Sequence, residues 1–164
     1  MSDKELSAGV QTPSLAKGLI AGLIGGLAAT AAKTFAEKIY PPRTHGESEP
    51  PDVLAEMITT RIAGHPLDHA STIVASETIH WTFGALVGAA YGAVAEYYPA
   101  VTAKEGASFG LTLATLTHGT ALPALGLSAE PGDQTTREKT SEMSTHVVFG
   151  LVTEIVRRSV RKVL

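Results

Sequence analysis

The chain has no cysteine, one tryptophan and four phenylalanines among 164 residues. Without cysteine there are no disulfides, no thiolate metal sites and no cysteine nucleophile. The formal net charge of -3 favours neither sign strongly. With no basic stripe and no aromatic platform, nucleic acid is not expected as a partner. There is no cofactor fingerprint, no glycine-rich run after a strand, and no nucleophile with a partnered base. No catalytic residue is therefore assigned, and the chain is not expected to be an enzyme. Charge is also absent where it matters most: none falls between Thr78 and Ala95, and none between Gly106 and Ala129.

The hydrophobic fraction, 44%, is ordinary for a soluble protein. Its distribution is not, because runs of about 18 residues with few charges are candidate membrane spans. The fold expected is all-α: an integral membrane four-helix bundle with a short amphipathic helix between helices 1 and 2. Residues 1–12 read as a disordered polar tail, and 13–164 as one membrane domain with helices near 14–37, 70–98, 103–121 and 140–160. Thr12 reads as the N-cap of the first helix, with Pro13 at its first position, and Pro41-Pro42 ends it. A turn at Tyr98-Pro99-Ala100 joins the second and third. Between the first two, Val53, Leu54, Met57, Ile58 and Ile62 share one face of a segment too short to span. It lies at the interface or packs on the bundle as a lid. The fourth helix is the weakest span, because its uncharged core, Met143 to Thr153, cannot cross alone.

Small residues recur every four positions. Gly18, Gly22 and Gly26 continue into Thr30 and Thr34; Gly84, Gly88 and Gly92 share a face with His80 and Glu96. Gly106 and Gly110 lead to His118, and Gly150 sits between His146 and Glu154. Such stripes let helices approach closely in lipid, either within the chain or in a homo-oligomer through the glycine faces. The expected partners are thus the lipid bilayer and a second copy. Arg157, Arg158, Arg161 and Lys162 cluster after the last span, which puts both termini in the cytoplasm. Tyr91, Tyr97 and Tyr98 suit the interface on that side, with Trp81 nearer the other.

Three segments, IHWTFGALVGAAYGAVAEYYP, LTHGTALPALGLS and SEMSTHVVFGLVTEIVRR, resemble the YagU-type family of bacterial inner-membrane proteins. The first helix and its exit, GLIAGLIGGLAATAAKTFAEKIYPPR, is similar too. The matching positions are His80, Glu96, Pro99, His118, Glu142, His146, Glu154, Arg157 and Arg158; part of the loop from Thr44 to Leu67 departs from the pattern. The resemblance implies a multi-pass protein of the bacterial inner membrane linked to tolerance of acid. It implies no catalytic activity.

Helical spacing directs Glu77, His80, His118, Glu142 and His146 into one layer of the outer half of the bundle. His45, His65 and His69 fall on the same side. Ionisable groups inside a membrane are costly and mark functional sites by default. Three readings stand side by side. The cluster is proton-responsive, imidazoles pairing with or repelling their neighbours as they gain charge. Or it binds a metal, or a haem between two histidines; Glu77-x-x-His80 has the spacing of di-iron bundle motifs, although no second copy exists. Or it holds the helices together by hydrogen bonds. No cofactor is predicted outright. Glu96 and Glu154 are expected to pair with Arg157, Arg158 or Lys104; Lys33 either reaches the outer cluster as a counter-charge or, the favoured reading, snorkels to the surface.

Overall fold

The computed structural model describes residues 12–43 and 47–164. The expected tail as far as Gln11, and His45, lie outside the described residues. The fold is all-α, with no strand among the described residues. Helix α1 spans Leu15–Ile39, α2 Pro50–Ala63 and α3 His69–Tyr97. Helix α4 covers Ala107–Leu116 and runs on through a π turn, Thr117–Ala121, and a last turn, Leu122–Ala124. Helix α5 spans Thr136–Val163.

Each helix starts where local chemistry satisfies its free N–H groups. Ser14, not Thr12, caps α1 by accepting from the Lys17 backbone. Glu49 and Asp52 form a reciprocal capping box on α2. Asp68 caps α3, and its hydrogen bonds from Ser71 hold its carboxyl below the usual carboxylate range. The connection from α3 to α4 is longer than the expected three-residue turn. A 3-10 segment covers Pro99–Gly106, and Lys104, Glu105 and Gly106 all have positive φ. The third helix therefore starts at Ala107 and not near 103.

Helix α1 lies between α3 and α5, α4 packs on α5, and α2 packs on α3. The α1–α3 crossing is antiparallel and glycine on glycine. A Cβ built on Gly22 would come 2.2 Å from Gly88 O; on Gly26, 2.3 Å from Gly84 O; on Gly18, 2.7 Å from Gly92 O. Gly25, outside the expected stripe, turns to α5 and meets Thr153 O at 2.7 Å. The adjacent Gly25-Gly26 pair thus gives α1 two small faces about 100° apart, one for each neighbour. A second crossing joins α4 and α5: Gly106 meets Gly150 O at 2.3 Å, and Gly110 meets His146 O at 2.0 Å. These stripes face one another inside a single chain. Backbone of the neighbouring helix covers each of them.

Polarity is inverted in part relative to a water-soluble bundle, although Tyr91, Leu127, Phe149 and several alanines are buried as usual. The largest fully buried side chains are Glu154, Thr30, Thr145, Thr153 and Ser141, whereas Ile20, Leu23, Phe83, Leu86, Leu116 and Ile155 are exposed. The buried threonines donate to carbonyls one turn back on their own helices. Among the described residues, one helix passes as a membrane span by length and composition, Leu15–Ile39, with a mean hydropathy of 1.6. The sequence expectation was four. Charge on α5, the ten-residue regular length of α4, and the glycines and polar residues of α3 account for the difference. On α2, the side chains of Met57, Ile58 and Ile62 stay exposed while Pro50 and Ala55 are buried.

Candidate functional site at the histidine pole

Ionisable groups gather at two ends of the bundle. At one, α5 supplies Glu142 and His146, four residues apart and so on one face. The α4–α5 glycine crossing sets the register that brings His118 opposite them. His118 sits in the π turn, where the regular ladder is interrupted; its carbonyl accepts from Gln134 Nε2 at 3.1 Å. His118 Nε2 lies 3.1 Å from Glu142 Oε2, and the His118 and His146 rings meet edge to face at 5.1 Å between centroids.

His146 Nδ1 is 2.7 Å from the Glu142 carbonyl oxygen. A carbonyl only accepts, so Nδ1 carries the hydrogen and the neutral ring keeps its lone pair on Nε2. Glu142 is 3% exposed. Its Oε1 accepts from Arg43 Nη1 at 3.4 Å, and Lys33 Nζ is 3.8 Å from Oε2. Among the described residues Oε2 is buried without an aligned hydrogen bond. Lys33 also pairs with Glu37, and Arg43 with Glu138. Lys33 is thus buried and turned inward instead of snorkelling. Its i,i+4 spacing to Glu37 was the signal available in the sequence. Arg43 carried no such signal; it arrives because Pro41-Pro42 turns the chain back over α5.

The expected layer is only partly assembled. His80 points to α1, its Nε2 3.3 Å from Thr34 Oγ1. Glu77 turns outward and accepts from Trp81 Nε1 at 2.9 Å. The Glu77-x-x-His80 pair therefore does not join Glu142. Beside the trio lies a cavity of about 300 Å³. Lys33, His80, His118 and His146 reach it, and Leu54, Phe83, Leu113, Leu122 and Phe149 wall it with carbon. Helix α2 covers one side through Pro50, Pro51 and Leu54. Chemically, the trio offers two imidazole nitrogens and one carboxylate oxygen, all within 4.8 Å of one another.

The family described as protein of unknown function (DUF1440) matches residues 27–155. The chain belongs to that family. The DUF1440 match takes in Lys33, Arg43, His118, Glu142, His146 and Glu154, and ends before Arg157. No curated protein and no solved structure matches the chain.

The opposite, arginine pole of this DUF1440 chain is closed by ion pairs. Glu154, 1% exposed, accepts from Arg157 Nε and Nη2 at 2.7 and 2.9 Å and from Tyr91 OH at 2.9 Å. Arg158 bridges Glu154 and Glu105 at 3.2 and 2.6 Å. Tyr91 is buried and stacks on Phe109 at 4.2 Å, so it is a packing residue and not an interfacial anchor. Glu96 pairs with Arg161 at 2.6 Å instead of Arg157, Arg158 or Lys104, and also accepts from the Ser14 backbone at 2.9 Å. Arg161 reaches Thr12 O at 2.9 Å, which holds the start of α1 and the end of α5 at one pole. Glu96 and Glu154 both have guanidinium partners here. The histidine pole has an unsatisfied carboxylate oxygen beside a cavity, and that makes it the candidate site.

Proposed function

We propose that the chain is a multi-pass protein of the bacterial inner membrane, and that it works as a binding protein whose site is the histidine pole. The observation that supports the membrane reading is the partly inverted polarity. Buried Glu154, Thr30, Thr145, Thr153 and Ser141 satisfy themselves inside, and leucine, isoleucine and phenylalanine face out. A chain in water gains most by burying the second set; a chain in lipid must satisfy the first set internally. Glycine crossings serve the same setting, since close backbone packing replaces the hydrophobic drive that lipid removes. In this reading α1, α3, α4 and α5 cross together, the charged α5 shielded by its neighbours. The arginine pole is cytoplasmic and the histidine pole faces the other side. The exposed Met57, Ile58 and Ile62 of α2 then lie at the interface.

The absence of native cysteine makes the test clean. In single-cysteine variants, Ala129→Cys is expected to react with a membrane-impermeant maleimide in intact spheroplasts. Leu164→Cys is expected to react only after lysis. Release of the protein by alkaline carbonate, or the reverse labelling pattern, would sink this reading.

The YagU-type resemblance adds tolerance of acid as the physiological setting, and the histidine pole is on the side that meets external acid. Cells without the protein are expected to survive acid exposure less well, with wild type restoring survival and His118→Ala failing to do so. Equal survival in all three removes the link. A proton-responsive centre is the second reading: His118 Nε2 lies 3.1 Å from Glu142 Oε2, so a protonated imidazole would pair with that carboxylate.

A further inference from the structure

We infer that His118, Glu142 and His146 form a binding site for a divalent first-row metal ion, with zinc as the first choice. The inference deepens the reading of the histidine pole as a binding site and uses nothing from the arginine pole.

The donor set comes first. Two imidazoles and one carboxylate suit zinc and ferrous iron, whereas calcium and magnesium ask for oxygen ligands. Three protein ligands leave a fourth position open, and the trio sits at the wall of the cavity that both imidazoles line. Ligands on a tetrahedral ion with bonds of about 2.0–2.1 Å lie roughly 3.3 Å apart. The His118–Glu142 distance of 3.1 Å already meets that spacing. One nitrogen of each ring and the carboxylate lie within 4.8 Å of one another; His146 Nδ1 is 3.7 Å from Glu142 Oε2, so ligation through Nε2 asks that ring to shift toward the ion.

The tautomer is an independent observation. His146 donates from Nδ1 to the Glu142 carbonyl, and that bond leaves Nε2 as the ligating atom. Backbone carbonyls orient metal-bound histidines in this manner. The buried Glu142 Oε2 is a third observation. An oxygen with no aligned hydrogen bond, in a residue 97% buried by its 3% exposure, pays the desolvation cost of a missing partner. A cation between it and the imidazoles supplies that partner. Charge agrees: the paired set holds Lys33 and Arg43 against Glu37, Glu138 and Glu142, two cations against three carboxylates. With neutral imidazoles the set is net negative by one, and it attracts a cation.

The test uses the full chain purified in mild detergent, stripped with chelator and titrated with zinc chloride by calorimetry. Cobalt(II) serves as a visible probe of four-coordinate nitrogen and oxygen ligation. One zinc per chain is expected. Glu142→Gln, His118→Ala and His146→Ala are each expected to weaken binding by more than about tenfold, and His65→Ala, exposed in the loop before α3, to leave it unchanged. Glu142→Gln keeps the shape of the side chain, and circular dichroism of every variant shows whether loss of binding is loss of fold. Wild type that binds no stoichiometric zinc or iron(II) overturns the inference. So does binding that survives in all three ligand variants, or binding that His65→Ala removes equally. Membrane insertion is read separately by maleimide labelling: an inserted protein without metal refutes the site alone, and a metal-binding protein outside the membrane refutes only the location.

Discussion

Replacing Glu154 by leucine is expected to lower stability by about 3–5 kcal/mol, the range for breaking a buried ion pair from one side. The carboxylate is 1% exposed and takes three close hydrogen bonds, two from Arg157 and one from Tyr91. Leucine fills the space but leaves the Arg157 guanidinium, itself 9% exposed, without a counter-charge. Arg158 loses less, because it is half-exposed and keeps Glu105. The cost therefore lies in the stranded charge and not in a missing attraction. The double variant Glu154→Leu, Arg157→Met tests that account, because replacing both members of a buried pair by apolar groups is often close to neutral. It is expected to recover at least half of the loss in denaturant unfolding followed by circular dichroism. A double variant no more stable than the single one contradicts it.

The α1–α3 crossing carries the second large effect. A Cβ on Gly22 would sit 2.2 Å from Gly88 O and 2.8 Å from Gly92 Cα, both backbone atoms. Ordinary contact begins near 3.4 Å, so even alanine forces the two helices apart by roughly 1 Å at the point where the stripe is tightest. Overpacking of this kind costs typically about 1–3 kcal/mol, occasionally more. No rotamer relieves backbone against backbone, which puts Gly22→Ala at the upper end, about 3 kcal/mol. Gly22→Leu is expected to prevent accumulation of folded protein. Gly132→Ala, with open space around its Cβ, is the control and should stay near wild type in the same unfolding experiment. Wild-type stability in Gly22→Ala would mean that the helices do not cross at glycine.

Much of the helical layout was legible, because charge-free runs, four-residue glycine spacing and capping residues are local signals. Gly18, Gly22 and Gly26 were readable as a contact face, as were Gly84, Gly88 and Gly92. Which face met which was not, since every stripe has the same chemistry. The turn expected at Tyr98-Pro99-Ala100 folds the third helix back on the second and puts His80 and His118 in one layer, and both line the cavity. It also gathered Glu77 into the same layer, where the structure turns that carboxylate outward to Trp81. A shared helical face leaves rotation about the helix axis undetermined by several tens of degrees, and that decides inward from outward. Arg43 was missed as part of the site, and Lys33 was weighed as a counter-charge but placed at the surface, for a related reason. A lysine near a helix end reads as a surface residue until a buried carboxylate from another helix is known to face it.

From the sequence alone came the all-α class, the absence of thiol chemistry, the small-residue stripes and the short list of ionisable residues in apolar surroundings. These depend on residue type and spacing along one helix. The tertiary structure alone decided that the glycine faces close on one another within the chain, that the π turn brings His118 to Glu142, and that Lys33 and Arg43 enclose that carboxylate. Those facts depend on the register between helices distant in sequence. The register is set where backbone meets backbone, at Gly22 on Gly88 and at Gly110 on the His146 carbonyl.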